Sequence, residues 1–142
     1  MGRASMIVLD THVFIWHVSG DVRIGKNARE TIDRFAKEDC VLVSAITPWE
    51  IALLVEKCRL QLAYDVEFWL RTSLALPGIS LAPILPEISV DSVRLPDTFH
   101  ADPADRLIVA TARYHNASLV TADSAILTYA TTGSFEVIDA SN

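Results

Sequence analysis

Short apolar runs alternate with helical segments along the whole chain, and this alternation limits the fold more than any other feature. Runs of roughly four to six residues, too short for helices, predict buried strands at residues 6–9, 40–44, 79–84, 118–121 and 135–138. Between them, apolar residues recur at helical spacing in residues 11–18, 24–37, 47–59, 64–75, 88–95, 103–115 and 123–130. Buried strands that alternate with helices favour a parallel sheet covered on both faces. The sequence therefore predicts one α/β domain over residues 6–140, with a parallel sheet of about five strands.

Composition excludes several classes of protein. Of the 142 residues, 51% are hydrophobic and 21% are charged, which excludes a disordered chain and a fibrous repeat. The formal net charge of −6 argues against a dedicated basic module for binding nucleic acid. It does not exclude chemistry on nucleic acid, because a cluster of carboxylates that holds metal ions also makes a chain acidic.

Cysteine usage and the termini predict the cellular setting. Cys40 and Cys58 form no CxxC pair, so we expect two reduced core cysteines in a cytosolic protein, without zinc or a disulfide. No apolar run approaches the roughly 18 residues of a membrane span, so we expect no membrane association. Residues 1–5 are too short and too polar for a signal peptide, and we expect an N-terminal extension or a vector remnant there.

Acidic residues stand at the carboxyl ends of the predicted strands or in the first turn of the next helix. There are four of them: Asp10, Glu50, Asp105 and Asp123. Ligands of parallel sheets bind at this edge, where the strand order reverses, so we expect the four acids to share a cleft. Close carboxylates repel one another, and a hard divalent cation such as Mg²⁺ or Mn²⁺ removes the conflict. A metal held by carboxylates suits phosphoryl chemistry.

Each acid also has a purely structural explanation. Thr47 and Glu50 have the spacing of a capping box, with Pro48 at the first helical position. Asp102 precedes a proline as an N-cap, and Asp105 in the first turn would interact favourably with the helix dipole. The other two acids can cap the helices that follow them in the same way.

Other motifs favour no competing chemistry. The chain has no glycine-rich nucleotide loop and no GxSxG nucleophile motif. His12, His17 and His115 are interpreted as surface or packing residues without a role. His100 precedes Asp102 by two positions, where it would tether a phosphate or order the loop. The aromatic residues at helical spacing are interpreted mostly as core or subunit interface: Phe14, Trp16, Trp49, Phe68 and Trp69.

Four sequence blocks occur in a specific order and spacing. They are Ile7-Val-Leu-Asp10-Thr11-His12, Ser44-x-x-Thr47-x-Trp49-Glu50-Ile51, His100-x-Asp102-Pro-x-Asp105-Arg106, and Leu119-Val-Thr121-x-Asp123. Together they resemble the PIN-domain family, and within it the VapC-type ribonuclease toxins of prokaryotic toxin–antitoxin pairs. The resemblance covers nearly the whole chain from Met6 onward, and the third block is its most specific part.

The resemblance implies a metal-dependent endoribonuclease that hydrolyses RNA phosphodiester bonds and leaves a 3′-hydroxyl and a 5′-phosphate. It implies that Mg²⁺ or Mn²⁺ is bound, and catalysis performed, by Asp10, Glu50, Asp105 and Asp123. Asp102 would be a helix cap or an auxiliary ligand. Thr11 and Thr121 would orient a carboxylate or a metal-bound water, and His100 is a further auxiliary candidate.

The resemblance also implies partners and a location. The chain would act in the prokaryotic cytoplasm as a homodimer that a small antitoxin protein inhibits. Apolar residues within 47–59 and 64–75 are candidates for the antitoxin surface. The candidates for binding substrate phosphates are Arg23, Lys26, Arg29 and Arg106. Alternatively, most of these basic side chains lie on solvated helix faces without a role, and Arg106 is an ion-pair partner of Asp102.

Two alternative functions remain open from the sequence. The first is a catalytically silent PIN-fold module that binds RNA or protein. The second is a metal phosphoesterase that acts on DNA flaps or small phosphoesters.

Overall fold

The structure is a computed structural model that describes residues 5–96, 99 and 102–142. Within these residues there are five strands: β1 (Ile7–Leu9), β2 (Val41–Ser44), β3 (Ile79–Ala82), β4 (Ser118–Thr121) and β5 (Glu136–Asp139). The helices of the same residues are α1 (Thr11–Ser19), α2 (Lys26–Lys37), α3 (Ile46–Glu56), α4 (Val66–Leu74), α5 (Pro86–Val93), α6 (Pro103–Tyr114) and α7 (Ser124–Ala130). None of them is both long enough and apolar enough to cross a lipid bilayer.

The predicted elements differ from the observed ones mainly at their ends. Helix α3 ends at Glu56 instead of residue 59, and α5 begins two residues before the predicted start at residue 88. Pro86 occupies its first turn, where the fixed φ of proline is already helical and no backbone N–H is needed. Sequence periodicity alone therefore misses the start of this helix.

The sheet is entirely parallel, in the order β3-β2-β1-β4-β5. The chain proceeds outward from β1 through β2 to β3 and then crosses back, so that β4 lies on the other side of β1. In the register of the central strands, Leu9 pairs with Val43 on one side and with Val120 on the other. The reversal between β1 and β4 leaves a crevice at their carboxyl ends.

Alternate residues of the strands face two separate cores. Leu9 packs on one face of the sheet with Phe14 of α1 and Ile32 of α2. Val8 packs on the other face with Ile108 of α6. All five side chains are fully buried, and each contributes roughly 1.5–3 kcal/mol by its removal from water. The predicted parallel sheet with helices on both faces is thus confirmed.

The cysteines do not lie where the sequence analysis expects them. Cys58 is exposed just after α3, and Cys40 is only partly buried before β2. Both are free thiols. The prediction of two core cysteines is therefore wrong, because Cys58 falls in the left-handed turn (φ 57°) that ends α3 rather than on its buried side.

Candidate functional site

A polar cavity of about 290 Å³ opens at the carboxyl ends of β1 and β4, where the strand order reverses. Its wall is predominantly acidic. The lining residues are Asp10, His12, Trp16, Glu50, Asp102, Asp105, Ala122 and Asp123. The four acids of the sequence analysis, together with Asp102, therefore line one cavity, although they come from widely separated parts of the chain.

Asp10 is the most deeply buried of these acids. It follows β1, caps α1 and is only 7% exposed. Its Oδ1 accepts a hydrogen bond from the N–H of Thr11 (2.8 Å), and its Oδ2 accepts one from Oγ1 of Thr121 (2.7 Å). Burial raises the pKa of Asp10 above its usual value, and the hydrogen bonds from Thr121 and Thr11 oppose this rise. Both oxygens are thus held in a fixed orientation.

Asp123 is fixed by the helix that follows it. Its Oδ1 accepts hydrogen bonds from the N–H groups of Ala125 (2.9 Å) and Ile126 (3.0 Å), as an N-cap of α7. Its own N–H donates to Oγ1 of Thr121 at 3.0 Å. The predicted cap is confirmed, and the capped carboxylate still lines the cavity, so the two roles are compatible.

The capping box expected for α3 is not formed. The helix begins at Ile46, and the N-cap residue Ala45 has no side-chain oxygen to offer. Ser44 accepts a hydrogen bond from the N–H of Ile46 (3.2 Å) instead. Thr47 and Glu50 consequently lie inside the helix rather than across its start. The capping-box interpretation is wrong because the helix begins earlier than predicted, and the hydroxyl of Ser44 accepts the hydrogen bond from its first free N–H.

Glu50 is instead held by a threonine from another helix. Thr11 donates a short hydrogen bond from its Oγ1 to Oε1 of Glu50. The same Oγ1 lies 3.1 Å from the buried Oγ1 of Thr47. Burial raises the pKa of Glu50, with smaller contributions from the charges of Asp10 and Asp102. The two threonines therefore determine where this carboxylate points.

Asp105 and Asp102 belong to the start of α6. Asp102 caps the helix by accepting a hydrogen bond on Oδ1 from the N–H of Asp105 (2.9 Å), as the sequence predicts. One oxygen each of Glu50, Asp102 and Asp105 lies within 4.8 Å of the others. Burial, together with the smaller effects of the neighbouring acids, first Asp102 and then Asp10, raises the pKa of Asp105 to about 8. Such a pKa indicates that the cluster lacks positive charge.

The donor set of the cavity fits a hard divalent cation. Carboxylate oxygens dominate its wall, and no thiol is among the described residues that line it. Mg²⁺, Mn²⁺ and Ca²⁺ prefer such oxygen donors, whereas zinc sites commonly use cysteine and histidine. A bound cation would also allow Asp105 to ionise near neutral pH. The cluster can therefore hold a divalent metal.

Two lining residues were not recognised in the sequence. His12 and Trp16 stand four positions apart on α1 and line the cavity next to Asp10. The sequence analysis gives His12 no role and interprets Trp16 as core or interface. The spacing of these two residues could have identified them. Positions i and i+4 of a helix share one face, and α1 begins directly after Asp10, so His12 and Trp16 face the same cavity.

Arg106 does not line the acidic cavity. Its guanidinium group donates to the backbone carbonyl of Ser92 (3.2 Å) and to that of Phe99, and it lies over the Phe99 ring. Among the described residues Arg106 forms no ion pair with Asp102, so the predicted pair is wrong. The guanidinium binds the backbone carbonyl oxygens of Ser92 and Phe99 instead of the Asp102 carboxylate.

The remaining auxiliary candidates lie away from the acids or outside the described chain. Arg29 donates to the carbonyls of Asp21 and Ile24, both at 3.2 Å. Lys26 is exposed at the first position of α2. Neither residue lines the acidic cavity. His100 lies outside the described residues.

Comparison of the sequence with known families and proteins agrees with these features. The family model of the PIN domain matches residues 7–131. The chain is also 38% identical over 117 residues to "Ribonuclease VapC22" of Mycobacterium tuberculosis. That alignment covers 82% of this chain and 86% of the relative.

Comparison with solved structures shows the same fold. The chain is similar to one in the crystal structure of VapBC2 from Rickettsia felis bound to a promoter DNA fragment (TM-score 0.69, 15% identity). It is also similar to one in the crystal structure of FitAcB from Neisseria gonorrhoeae (TM-score 0.64, 24% identity). Each alignment covers 94% of this chain and 97% of the other.

Proposed function

This chain belongs to the PIN domain family, and from that premise we propose that it is a metal-dependent endoribonuclease and the toxin of a toxin–antitoxin pair. The observation that carries the proposal is the convergence of five carboxylates in one cavity at the reversal of the strand order. The relative at 38% identity, a ribonuclease by name, supports RNA as the substrate.

The acids Asp10, Glu50, Asp105 and Asp123 would hold Mg²⁺ or Mn²⁺ in this proposal. When bound, such a cation neutralises charge on the scissile phosphate, lowers the pKa of a water and stabilises the leaving oxygen. Asp102 caps α6 and contributes one more nearby carboxylate oxygen, so it acts as an auxiliary ligand.

The protein's own contribution is to hold the carboxylates in place before the substrate arrives. Thr121 and the backbone of Thr11 restrict Asp10, and the Thr11 hydroxyl restricts Glu50. Only Oε1 of Glu50 accepts that hydroxyl, which leaves Oε2 to orient an attacking water and accept its proton. In-line attack would then leave a 3′-hydroxyl and a 5′-phosphate.

Exposed aromatic side chains support the proposal of a protein partner. Trp49 of α3 is 56% exposed, and Tyr64 and Phe68, whose rings are 5.4 Å apart, are more than half exposed before and within α4. Large exposed apolar side chains in one region are typical of interaction surfaces. We propose that an antitoxin covers this region and that the chain forms a homodimer in the prokaryotic cytoplasm.

Cleavage of single-stranded RNA tests the proposed activity. Wild-type protein with Mg²⁺ or Mn²⁺ is expected to cut the RNA into products with 5′-phosphates, and excess EDTA is expected to stop the reaction. Asp10→Asn should lose at least about a hundredfold in rate, whereas Asp33→Asn, an exposed acid on α2, should retain the wild-type rate. Cleavage that persists in EDTA would refute the metal-dependent mechanism.

Parallel substrates distinguish the two alternative functions. A silent module would bind RNA without cutting it at any metal concentration. A different phosphoesterase would turn over flap DNA or a chromogenic phosphoester faster than RNA. Preferential cleavage of RNA supports the proposal, and either other pattern contradicts it.

A further inference from the structure

A tryptophan and an arginine form a fixed pair beside the acidic cavity. Trp16 of α1 lines the cavity, and the guanidinium carbon of Arg23 lies 4.9 Å from the centroid of its indole ring. Asp21 anchors the arginine, because its two carboxylate oxygens accept hydrogen bonds from Nη2 (2.7 Å) and Nε (3.1 Å) of Arg23. The N–H of Asp21 in turn donates to the Trp16 carbonyl at 2.9 Å. Indole, guanidinium and carboxylate are thus in direct contact in sequence, from Trp16 through Arg23 to Asp21.

The pair is held in place but remains accessible. The side chain of Arg23 is 65% exposed although one side of it lies over the indole ring. Trp16 is half-buried, with part of its ring against the core. The ring of His12 lies 6.2 Å from that of Trp16 and extends the aromatic surface along the cavity. Aromatic rings and guanidinium planes are the surfaces on which proteins stack unpaired bases.

The charge of the cavity makes such a surface useful. The acidic wall of the cavity repels a polyanion until cations are bound, so ionic attraction alone does not hold an RNA strand there. Stacking of a base depends on its π-face and works for every base. Arg29 and Arg106 donate to backbone carbonyls, whereas Arg23 is an exposed arginine that contacts a residue of the cavity wall.

We propose that Trp16 and Arg23 form a nucleotide subsite, in which one unpaired base of the substrate next to the scissile phosphate stacks on the indole–guanidinium pair. The inference rests on the proposed ribonuclease activity and adds a specific binding site to it. Trp16 supplies apolar surface at the cavity wall, and Arg23 supplies a flat cationic surface that also attracts the adjoining phosphate. Asp21 is a positioning residue that keeps the guanidinium over the ring.

Steady-state cleavage of a fluorogenic pool of random-sequence single-stranded RNA tests the subsite. Trp16→Ala and Arg23→Ala should each raise KM by about fivefold or more, which is the expected loss for one stacked base. Neither should change kcat by more than about twofold, since the carboxylates are untouched. Trp16→Phe keeps an aromatic ring and should remain within about threefold of the wild-type KM.

Matched controls come from exposed residues elsewhere. Arg34 lies over the Phe35 ring at 5.6 Å and is an exposed arginine outside the cavity. Tyr114 is an exposed aromatic residue at the far end of α6. Arg34→Ala and Tyr114→Ala should leave both KM and kcat at their wild-type values.

A binding measurement separates the subsite from a folding defect. Fluorescence anisotropy in the Asp10→Asn background should show a fivefold or greater rise in the Kd of the same RNA pool when Arg23→Ala is added, with an unchanged Tm. If the wild-type protein cleaves RNA but both alanine variants keep the KM of the controls, the subsite is refuted and the proposed function stands. If the wild-type protein cleaves no RNA, both proposals fail together.

Discussion

Thr121 donates a 2.7 Å hydrogen bond from Oγ1 to Oδ2 of Asp10, a residue 111 positions away in sequence. Oγ1 of Thr121 also accepts a hydrogen bond from the N–H of Asp123 at 3.0 Å. A hydroxyl has one proton to donate and two lone pairs, so this one is oriented by both acids at once. The end of β4 thereby fixes the relative positions of the acids that follow β1 and β4.

The first prediction concerns this hydroxyl. Thr121→Val keeps the shape of the side chain but leaves the buried Asp10 carboxylate without one of its donors. The free energy of unfolding should fall by about 1–3 kcal/mol in a urea titration at pH 7, and kcat should also fall. Thr121→Ser keeps the donor and should lose less than half as much stability. Equal stability of the valine variant and the wild type would contradict this assignment.

The second prediction concerns the orientation of Glu50. Thr11→Val removes the hydroxyl that donates to Oε1 of Glu50, while the backbone N–H of residue 11, which donates to Oδ1 of Asp10, remains. We expect kcat for RNA cleavage to fall by about tenfold or more, with KM nearly unchanged, because a misoriented acid affects the chemical step. Thr31→Val, at an exposed hydroxyl on α2, is the control. A kcat equal to that of this control would show that Thr11 does not position Glu50.

The third prediction concerns the pH dependence of stability. Because the pKa of Asp105 is raised to about 8, the folded metal-free protein retains a proton that the unfolded chain releases near pH 4. The free energy of unfolding should therefore decrease as the pH rises from about 4 to about 8. Asp105→Asn, which carries no titrating group, should flatten this decrease in denaturant titrations. A metal-free stability that rises with pH in both proteins would contradict the raised pKa.

Metal binding should counteract the same trend. A cation requires the ionised carboxylate, so its binding displaces the proton of Asp105. Saturating Mn²⁺ should therefore raise the Tm of the wild-type protein more at pH 8 than at pH 6. The same addition should have a smaller effect on Asp105→Asn at both pH values.

The fourth prediction separates the two roles of Asp102. Asparagine is as good an N-cap as aspartate, so Asp102→Asn should keep the stability of α6 while it removes one negative charge. Asp102→Ala removes the cap of α6 as well as the negative charge, and should lower the free energy of unfolding by about 0.5–2 kcal/mol. If Asp102 is an auxiliary ligand, calorimetric titration should show weaker Mn²⁺ binding in both variants. If both variants bind Mn²⁺ with the wild-type affinity, Asp102 caps α6 and is not a metal ligand.

The local elements of this fold are strongly encoded in the sequence. Strand β4 covers the same residues, 118–121, as its prediction, because its two apolar residues, Leu119 and Val120, are both fully buried, one in the core on each face of the sheet. The shared cavity could be anticipated for a related reason: the carboxyl ends of parallel strands lie at one edge of the sheet, so residues that follow β1 and β4 meet there.

Long-range contacts explain what the sequence could not predict. Thr47 and Glu50 have the spacing of a helix cap, but they contact Thr11 of another helix, and no local pattern distinguishes these two uses. Arg106 stands four positions after Asp102, yet its guanidinium binds carbonyls of distant segments. The strand order itself depends on which strands pair, and short apolar runs do not specify their neighbours.

The central claim is that the carboxylates of the acidic cavity form one cation site. Anomalous X-ray scattering from crystals soaked in Mn²⁺ tests this claim most directly. The account predicts an anomalous peak inside the cavity, in contact with oxygens of Asp10 and at least one other of its acids, and no such peak in Asp10→Asn crystals. An empty cavity in crystals of protein that cleaves RNA with Mn²⁺ would contradict the account.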